Sequence, residues 1–201
     1  MGVDAGGNDI TNLNNASFSE CKTECNKRSD CKGFNFSSGS YPDKFGTCWI
    51  KNNVSNKASN SAWNLFEKTI IDNQPIKSKL RDNFCLDVAG FGQDNGNIVQ
   101  MWDCNGATNQ KIKLDDKSRL VFNHSQKCLD VGGSGTHNGA DILQWDCSDG
   151  DNQKWTLDDK GQLRPRHAPW KCLDVEGYNT NAGARVSLYD CGDTVNQKWF
   201  V

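Results

Sequence analysis

The tetrapeptide Cys-Leu-Asp-Val occurs three times in this chain, starting at Cys85, Cys128 and Cys172, at intervals of 43 and 44 residues. Each copy is followed 19 positions later by a second cysteine: Cys104, Cys147 or Cys191. An aromatic residue and an Asp precede each of these, as Trp102-Asp103, Trp145-Asp146 and Tyr189-Asp190. Five residues past each second cysteine stands Asn-Gln, at Asn109-Gln110, Asn152-Gln153 and Asn196-Gln197. Two copies then end in Gln-Lys-Trp, at Trp155 and Trp199, whereas the first ends in Ile112. Chance does not align so many offsets. A unit of roughly 40 residues cannot bury its own apolar face, so three copies must pack on one another.

The local signals within each unit are those of strands. Short apolar stretches, such as residues 98–102 and 154–157, are broken by Gly, Asn and Asp clusters. No stretch of the repeat region sustains a 3.6-residue period. Three such units close into one threefold barrel, with the cysteine pairs Cys85–Cys104, Cys128–Cys147 and Cys172–Cys191 stapling the long loop of each repeat. Residues two apart on a strand share a face, so Gln100 and Trp102 line one pocket while Met101 turns the other way.

Ten cysteines in 201 residues suit an oxidising compartment. Zinc sites favour closely spaced cysteine pairs or histidines, but the chain has no Cys-x-x-Cys and its histidines (His124, His137, His167) are scattered. No metal or other cofactor is expected. Sequons at Asn15, Asn35, Asn53 and Asn123 agree with secretion. No signal peptide is visible, so the sequence reads as a mature form with an initiator Met added. Met1-Gly2 could open a myristoylation signal, but position 6 is Gly rather than Ser or Thr. A net charge of −2 gives no footprint for nucleic acid, and the apolar runs are too short for membrane insertion. The pairs Asp115-Asp116 and Asp158-Asp159 look like acid/base dyads, yet they recur beside Lys in equivalent places and read as solvated hairpin turns.

The three copies of Cys-Leu-Asp-Val, aromatic-Asp-Cys and Gln-x-Trp resemble the ricin B-type lectin family over residues 76–201. The resemblance implies a non-catalytic β-trefoil that binds glycans, with galactose or N-acetylgalactosamine favoured. A hexose has hydroxyls around its edge and an apolar C–H face, so its site needs fixed polar groups beside an aromatic plane. By the resemblance, Asp87, Asp130 and Asp174 bind hydroxyls, and Trp102, Trp145 and Tyr189 stack on the ring. Asn109, Asn152 and Asn196 complete the clamp. A further polar contact stands four positions before the second cysteine, where the copies carry Gln100, Leu143 and Ser187. Repeat 1 therefore has the fullest set, and repeat 2 has lost the fourth group. The Gln of Gln-x-Trp is expected to hold loop backbone, and the Leu and Val of Cys-Leu-Asp-Val to lie in the core. Ile112 replaces a core-packing Trp.

Residues 1–75 differ in character, being rich in Asn and Ser. Ser17-Phe18-Ser19-Glu20 reads as a capping box, which places Cys21 and Cys25 on one helix face. Cys31 to Phe36 alternates as a strand with Phe34 and Phe36 inward, and Cys48 to Lys51 reads as another strand. The cysteine spacing with Gly33-Phe34-x-Phe36 and Cys48-Trp49-x-Lys51 resembles the PAN/apple family. That resemblance implies a small helix cradled by a curved antiparallel sheet, with Cys21–Cys48 and Cys25–Cys31 paired. Such modules bind proteins or glycans. Ile70 to Pro75 reads as the linker. The expected whole is mainly β: a three-repeat trefoil behind a small α+β disulfide domain, secreted and not an enzyme. Two other functions compete with a free-standing lectin: a polysaccharide-targeting module associated with a glycoside hydrolase, and an adhesion protein that binds proteins through its PAN-like region.

Overall fold

The computed structural model describes residues 9–16, 20–21, 24–25, 31, 33–37, 46–51, 64–67 and 71–201. The chain divides into two compact units, Met1–Ile70 and Ile71–Val201. In the first, β1 (Asp9–Ala16), β2 (Gly33–Ser37), β3 (Gly46–Lys51) and β4 (Asn64–Glu67) form an antiparallel sheet in the order β1-β3-β2-β4. Glu20, Cys21, Glu24 and Cys25 are helical. Cys21 is bonded to Cys48 and Cys25 to Cys31, and all four cysteines are buried. Ser17 to Ser19 and the side chains of Phe34 and Phe36 lie outside the described residues.

The second unit contains four strands per repeat. Repeat 1 has β5 (Lys77–Ser78), β6 (Phe84–Val88), β7 (Val99–Asp103) and β8 (Ile112–Leu114). Repeat 2 has β9 (Leu120–Phe122), β10 (Cys128–Val131), β11 (Ala140–Trp145) and β12 (Trp155–Leu157). Repeat 3 has β13 (Leu163–Pro165), β14 (Lys171–Val175), β15 (Ala184–Asp190) and β16 (Trp199–Phe200). The second and third strands of each repeat form a hairpin, and the fourth strand pairs with the first strand of the next repeat: β8 with β9, β12 with β13, and β16 back to β5. That last pairing joins the two ends of the unit, so no repeat is left with an unpaired terminal strand. Disulfides Cys85–Cys104, Cys128–Cys147 and Cys172–Cys191 each tie the start of a hairpin to the loop after it. Among the described residues no helix is long and apolar enough to cross a membrane.

The core is one cluster drawn from equivalent positions of all three repeats. Leu86, Leu129 and Leu173 are fully buried, as are Val88, Val131 and Val175. Trp155 and Trp199 are buried too, and their indole N–H groups donate to the carbonyls of Leu129 (2.9 Å) and Leu173 (3.1 Å). Ile112 takes the same place in repeat 1, fully buried but without a donor to offer.

Residues 71–74, expected to belong to a linker, are part of this unit. Ile71 lies in the core and its carbonyl accepts the N–H of Leu114 at 2.7 Å. Gln74 exchanges two backbone hydrogen bonds with Ile112, and its carbonyl stands where Ser118 accepts from Trp155 and Gly161 from Trp199. The strap is thus the first turn of repeat 1. Pro75 interrupts it without detaching it, because these bonds do not need the Pro75 nitrogen. Asp115 and Asp158 behave as hairpin residues: each accepts backbone N–H groups two and four residues ahead and pairs with Arg119 or Arg164.

Trp155→Phe and Trp199→Phe remove a carbonyl partner as well as volume, so each should destabilise the trefoil by about 2 kcal/mol or more, against about 1 kcal/mol for Ile112→Val. Denaturant unfolding measures both. Equal costs at the three positions would show that the indole hydrogen bonds contribute nothing.

Candidate functional site

Each repeat's hairpin brings the same four positions to one place. Asp87 lies opposite Gln100 with Cys85 opposite Trp102; Asp130 lies opposite Leu143 with Cys128 opposite Trp145; Asp174 lies opposite Ser187 with Cys172 opposite Tyr189. Directly opposed residues of an antiparallel pair project to the same face. The intervening Met101, Gln144 and Leu188 turn inward and are fully buried.

The carboxylate is fixed in the same way three times. Asp87 Oδ2 accepts from Asn109 Nδ2 (2.8 Å) and Gln110 Nε2 (2.9 Å). Asp130 Oδ2 accepts from Asn152 (2.9 Å) and Gln153 (2.7 Å), and Asp174 Oδ2 from Asn196 (2.9 Å) and Gln197 (2.8 Å). Each Gln also donates to the carbonyl of Asp103, Asp146 or Asp190, and its Oε1 accepts the backbone N–H of Asn105, Ser148 or Gly192. The Gln therefore holds both the loop and the carboxylate.

Each Asn donates its second amide proton to the carbonyl of Val88, Val131 or Val175. Neither proton is left for a ligand, and Oδ1 of Asn109 and of Asn196 is buried without a partner. The three Asn residues thus act on the carboxylate.

The second carboxylate oxygen distinguishes the repeats. Asp87 Oδ1 accepts from Gln100 Nε2 at 3.2 Å. Among the described residues no protein group donates to Oδ1 of Asp130 or Asp174. Leu143 has no polar atom to offer. Ser187, the expected fourth contact of repeat 3, is fully buried and its hydroxyl is unpartnered, so it is not a surface group. The three Asp residues lie deep, at 4, 5 and 6% exposure. Burial pushes Asp130 above the ordinary carboxylate value, against the pull of Gln153, Asn152 and nearby His167. Burial also raises Asp174, against Gln197 and Asn196, and the neighbouring Glu176 adds to the rise.

Beside each recess stands a half-exposed ring: Trp102 (41%), Trp145 (45%) or Tyr189 (45%). Two of the rings are backed by a turn of another repeat. Trp145 lies 3.6 Å from where a Cβ on Gly96 would stand, and Trp102 3.7 Å from that of Gly183. Both glycines have φ near +85°, a region that side chains disfavour (+86° and +84°). Neighbouring repeats are also clamped electrostatically. Asn95 exchanges hydrogen bonds with Asp146, and Asn138 with Asp190. Bonds from Lys127 and Lys171 hold these two exposed carboxyls below their ordinary value.

Two rings escaped the sequence reading. Phe91 and Tyr178, each about half exposed, follow Gly90 and Gly177 in the turn after the Val, at φ +58° and +54°. Their only sequence signal is that both stand at the same offset from Cys-Leu-Asp-Val, where repeat 2 has Ser134.

The arrangement can accept a hydroxyl proton on a fixed carboxylate while an apolar ring face lies against the aromatic. It supplies neither a paired acid and base nor a nucleophile. Among the described residues no group of three or more His, Cys, Asp or Glu could hold a metal ion.

Comparison with known proteins gives the family and the fold. The family model described as the ricin-type beta-trefoil lectin domain matches residues 43–155 and 118–201, and the PAN domain model matches residues 3–51. Among solved structures, the designed threefold-symmetric protein ThreeFoil is 35% identical, with a TM-score of 0.58 over 62% of this chain and 94% of its own. The C-half of the earthworm R-type lectin, solved in complex with GalNAc, is 20% identical (TM-score 0.53; 63% of this chain, 94% of that one). The β-trefoil lectin of the Vibrio vulnificus hemolysin/cytolysin, solved with N-acetyl-D-lactosamine bound, is 23% identical (TM-score 0.53; 66% and 94%). The last two show a shared fold.

Gln153→Ala and Gln197→Ala remove a donor from the carboxylate and leave loop backbone groups unpaired. Each should cost about 2–3 kcal/mol of stability and raise the carboxylate pKa further. Unfolding titrations and carboxyl NMR titration read the two effects. An unmoved pKa would show that the Gln supports the loop alone.

Proposed function

Because the chain belongs to the ricin-type β-trefoil lectin family, with a PAN domain ahead of the trefoil, we propose that it is a secreted lectin that binds galactose-type sugars, galactose or N-acetylgalactosamine, at up to three trefoil sites. Ricin-type lectin domains bind sugars without catalysing a reaction. The observation that carries the proposal is an anchored carboxylate with an open or lightly occupied oxygen, on the same strand face as a half-exposed aromatic ring, in each repeat.

In this reading Asp87, Asp130 and Asp174 accept hydroxyl protons in charge-assisted bonds. Trp102, Trp145 and Tyr189 take the apolar sugar face. Gln100 adds an amide beside Asp87, while Asn109, Asn152 and Asn196 keep the carboxylates oriented. Preorganisation matters here, since a side chain already immobilised loses little entropy when the sugar arrives. The sugars bound by the earthworm and Vibrio trefoils support the choice of ligand class. Three shallow sites on one trefoil gain strength on a multivalent glycan surface where the geometry lets them engage together. Five disulfides suit an oxidising, extracellular setting. The PAN domain adds a second surface for a protein or glycan partner.

Glycan-array binding followed by calorimetry tests the assignment. Trp102→Ala, Trp145→Ala and Tyr189→Ala should each weaken their own site up to about tenfold, and the triple variant should lose array binding with its fold intact by circular dichroism. A triple variant that binds like the wild type refutes the sites.

Acidification gives an independent check. Asp130 and Asp174 have raised pKa values, so as pH falls their charged form is lost at a higher pH than that of an ordinary carboxylate. Sugar affinity measured in Trp102→Ala, which isolates repeats 2 and 3, should decline at that higher pH. Affinity that holds until ordinary carboxylates protonate would contradict the role of these two groups.

A further inference from the structure

The three sites share a frame but not a rim. Strands β7, β11 and β15 meet one another, and each pairing sets a residue of one repeat opposite the fourth-position residue of another. Arg185 stands opposite Gln100, Asp141 opposite Ser187, and Ile98 opposite Leu143. Opposed residues lie about 5 Å apart between Cβ atoms, on one face. The rim of repeat 3 is ionic, because Arg185 bonds Asp141 at 2.7 Å and also pairs with Glu176. The rim of repeat 1 carries an amide and a guanidinium. Only in repeat 2 are both members aliphatic.

Several observations place this aliphatic pair on the wall of the repeat 2 recess. Leu143 is the strand partner of Asp130, and it packs over Gly132, its Cδ1 lying 3.1 Å from where a Cβ would stand. Ile98 is 57% exposed, a Cβ on Gly96 of the same segment would stand 3.6 Å from the Trp145 ring, and Gly96 and Asn97 are hydrogen-bonded to Gln144. A lone exposed Ile needs no explanation. This one stands opposite Leu143, which stands opposite Asp130, whose Oδ1 has no protein donor among the described residues.

We propose that repeat 2 is an acetamido-sugar site, in which the acetyl methyl lies on the shelf formed by Ile98 and Leu143. In this pose the hydroxyl held by Asp130 is the one on the ring carbon next to that bearing the acetamido group. A bare hydroxyl set against the shelf would be dehydrated beside two side chains that cannot hydrogen-bond it, at a net cost. A methyl group there removes apolar surface from water. At the rims of repeats 1 and 3 the same substituent meets charged and amide groups, which suit a hydroxyl. The inference rests on the lectin reading above and adds selectivity between sites.

The test uses the whole protein and titrates N-acetylgalactosamine and galactose separately. It follows the indole N–H resonances of Trp145 and Trp102, assigned with Trp145→Phe and Trp102→Phe. At Trp145 the acetamido sugar should bind about fivefold more tightly than galactose, the effect of burying one methyl group, and at Trp102 the two sugars should differ less. In the double variant Ile98→Asp, Leu143→Gln, which installs residues that repeats 2 and 1 carry at those positions, the ratio at Trp145 should fall to about one. Equal affinities at Trp145 in the wild type, a ratio unchanged in the double variant, or a response at Trp102 with none at Trp145 would overturn the shelf and leave the lectin reading standing. No response at either indole to either sugar would overturn both.

Discussion

A carboxylate that receives two amide donors on one oxygen, deep in a recess, is the interaction on which the rest of the trefoil depends. Asp87, Asp130 and Asp174 each tie the end of a hairpin strand to an Asn and a Gln more than 20 residues away. The Gln then reaches back to the backbone around the second cysteine. Long-range closure of this kind costs loop entropy that short apolar strands alone do not offset, and the disulfide in each repeat shares the task. The arrangement leaves the carboxyl group under-solvated in repeats 2 and 3, since burial there outweighs the donors. An under-solvated acceptor with a free oxygen is well suited to a hydroxyl ligand, so the group that closes the loop is also the one best placed to bind.

The repeats are alike where they close and unlike where they face outward. Equivalent Leu and Val residues fill the core in every copy, and the strand pairing around the ring is the same three times. Divergence collects at the rim: Gln100, Leu143 and Ser187 differ, and so do Ile98, Asp141 and Arg185. Core positions are constrained by packing from all sides, where a change of one methylene is felt. Of these positions only Ser187 is sealed in; the others reach the surface, where side chains touch fewer neighbours and are free to differ in chemistry. Ile112 is the exception in the core, and the strap from Ile71 to Gln74 pairs with the strand that carries it.

Much of this was legible in the chain. The matched offsets of Cys-Leu-Asp-Val, the second cysteine and Asn-Gln give the three repeats, and the alternation around Met101 gives the inward and outward faces. The destination of the Asn protons was not legible, because spacing cannot say whether an amide faces a ligand or a neighbouring carbonyl. Nor could it tell that Ser187 is sealed in, since the equivalent Gln100 and Leu143 are only partly buried. The start of the trefoil was misplaced because Pro75 reads as a break, whereas the bonds that hold the strap come from Ile71 and Gln74. Phe91 and Tyr178 were passed over because only two of the three copies carry an aromatic there.

The glycine turns beneath Trp102 and Trp145 have a consequence for how such a domain can be divided. Trp145 in repeat 2 rests on Gly96 of repeat 1, and Trp102 in repeat 1 rests on Gly183 of repeat 3. Ownership of a recess is therefore split between consecutive copies. A fragment cut between units would keep every residue of a recess's own motif and still lack the floor under its ring.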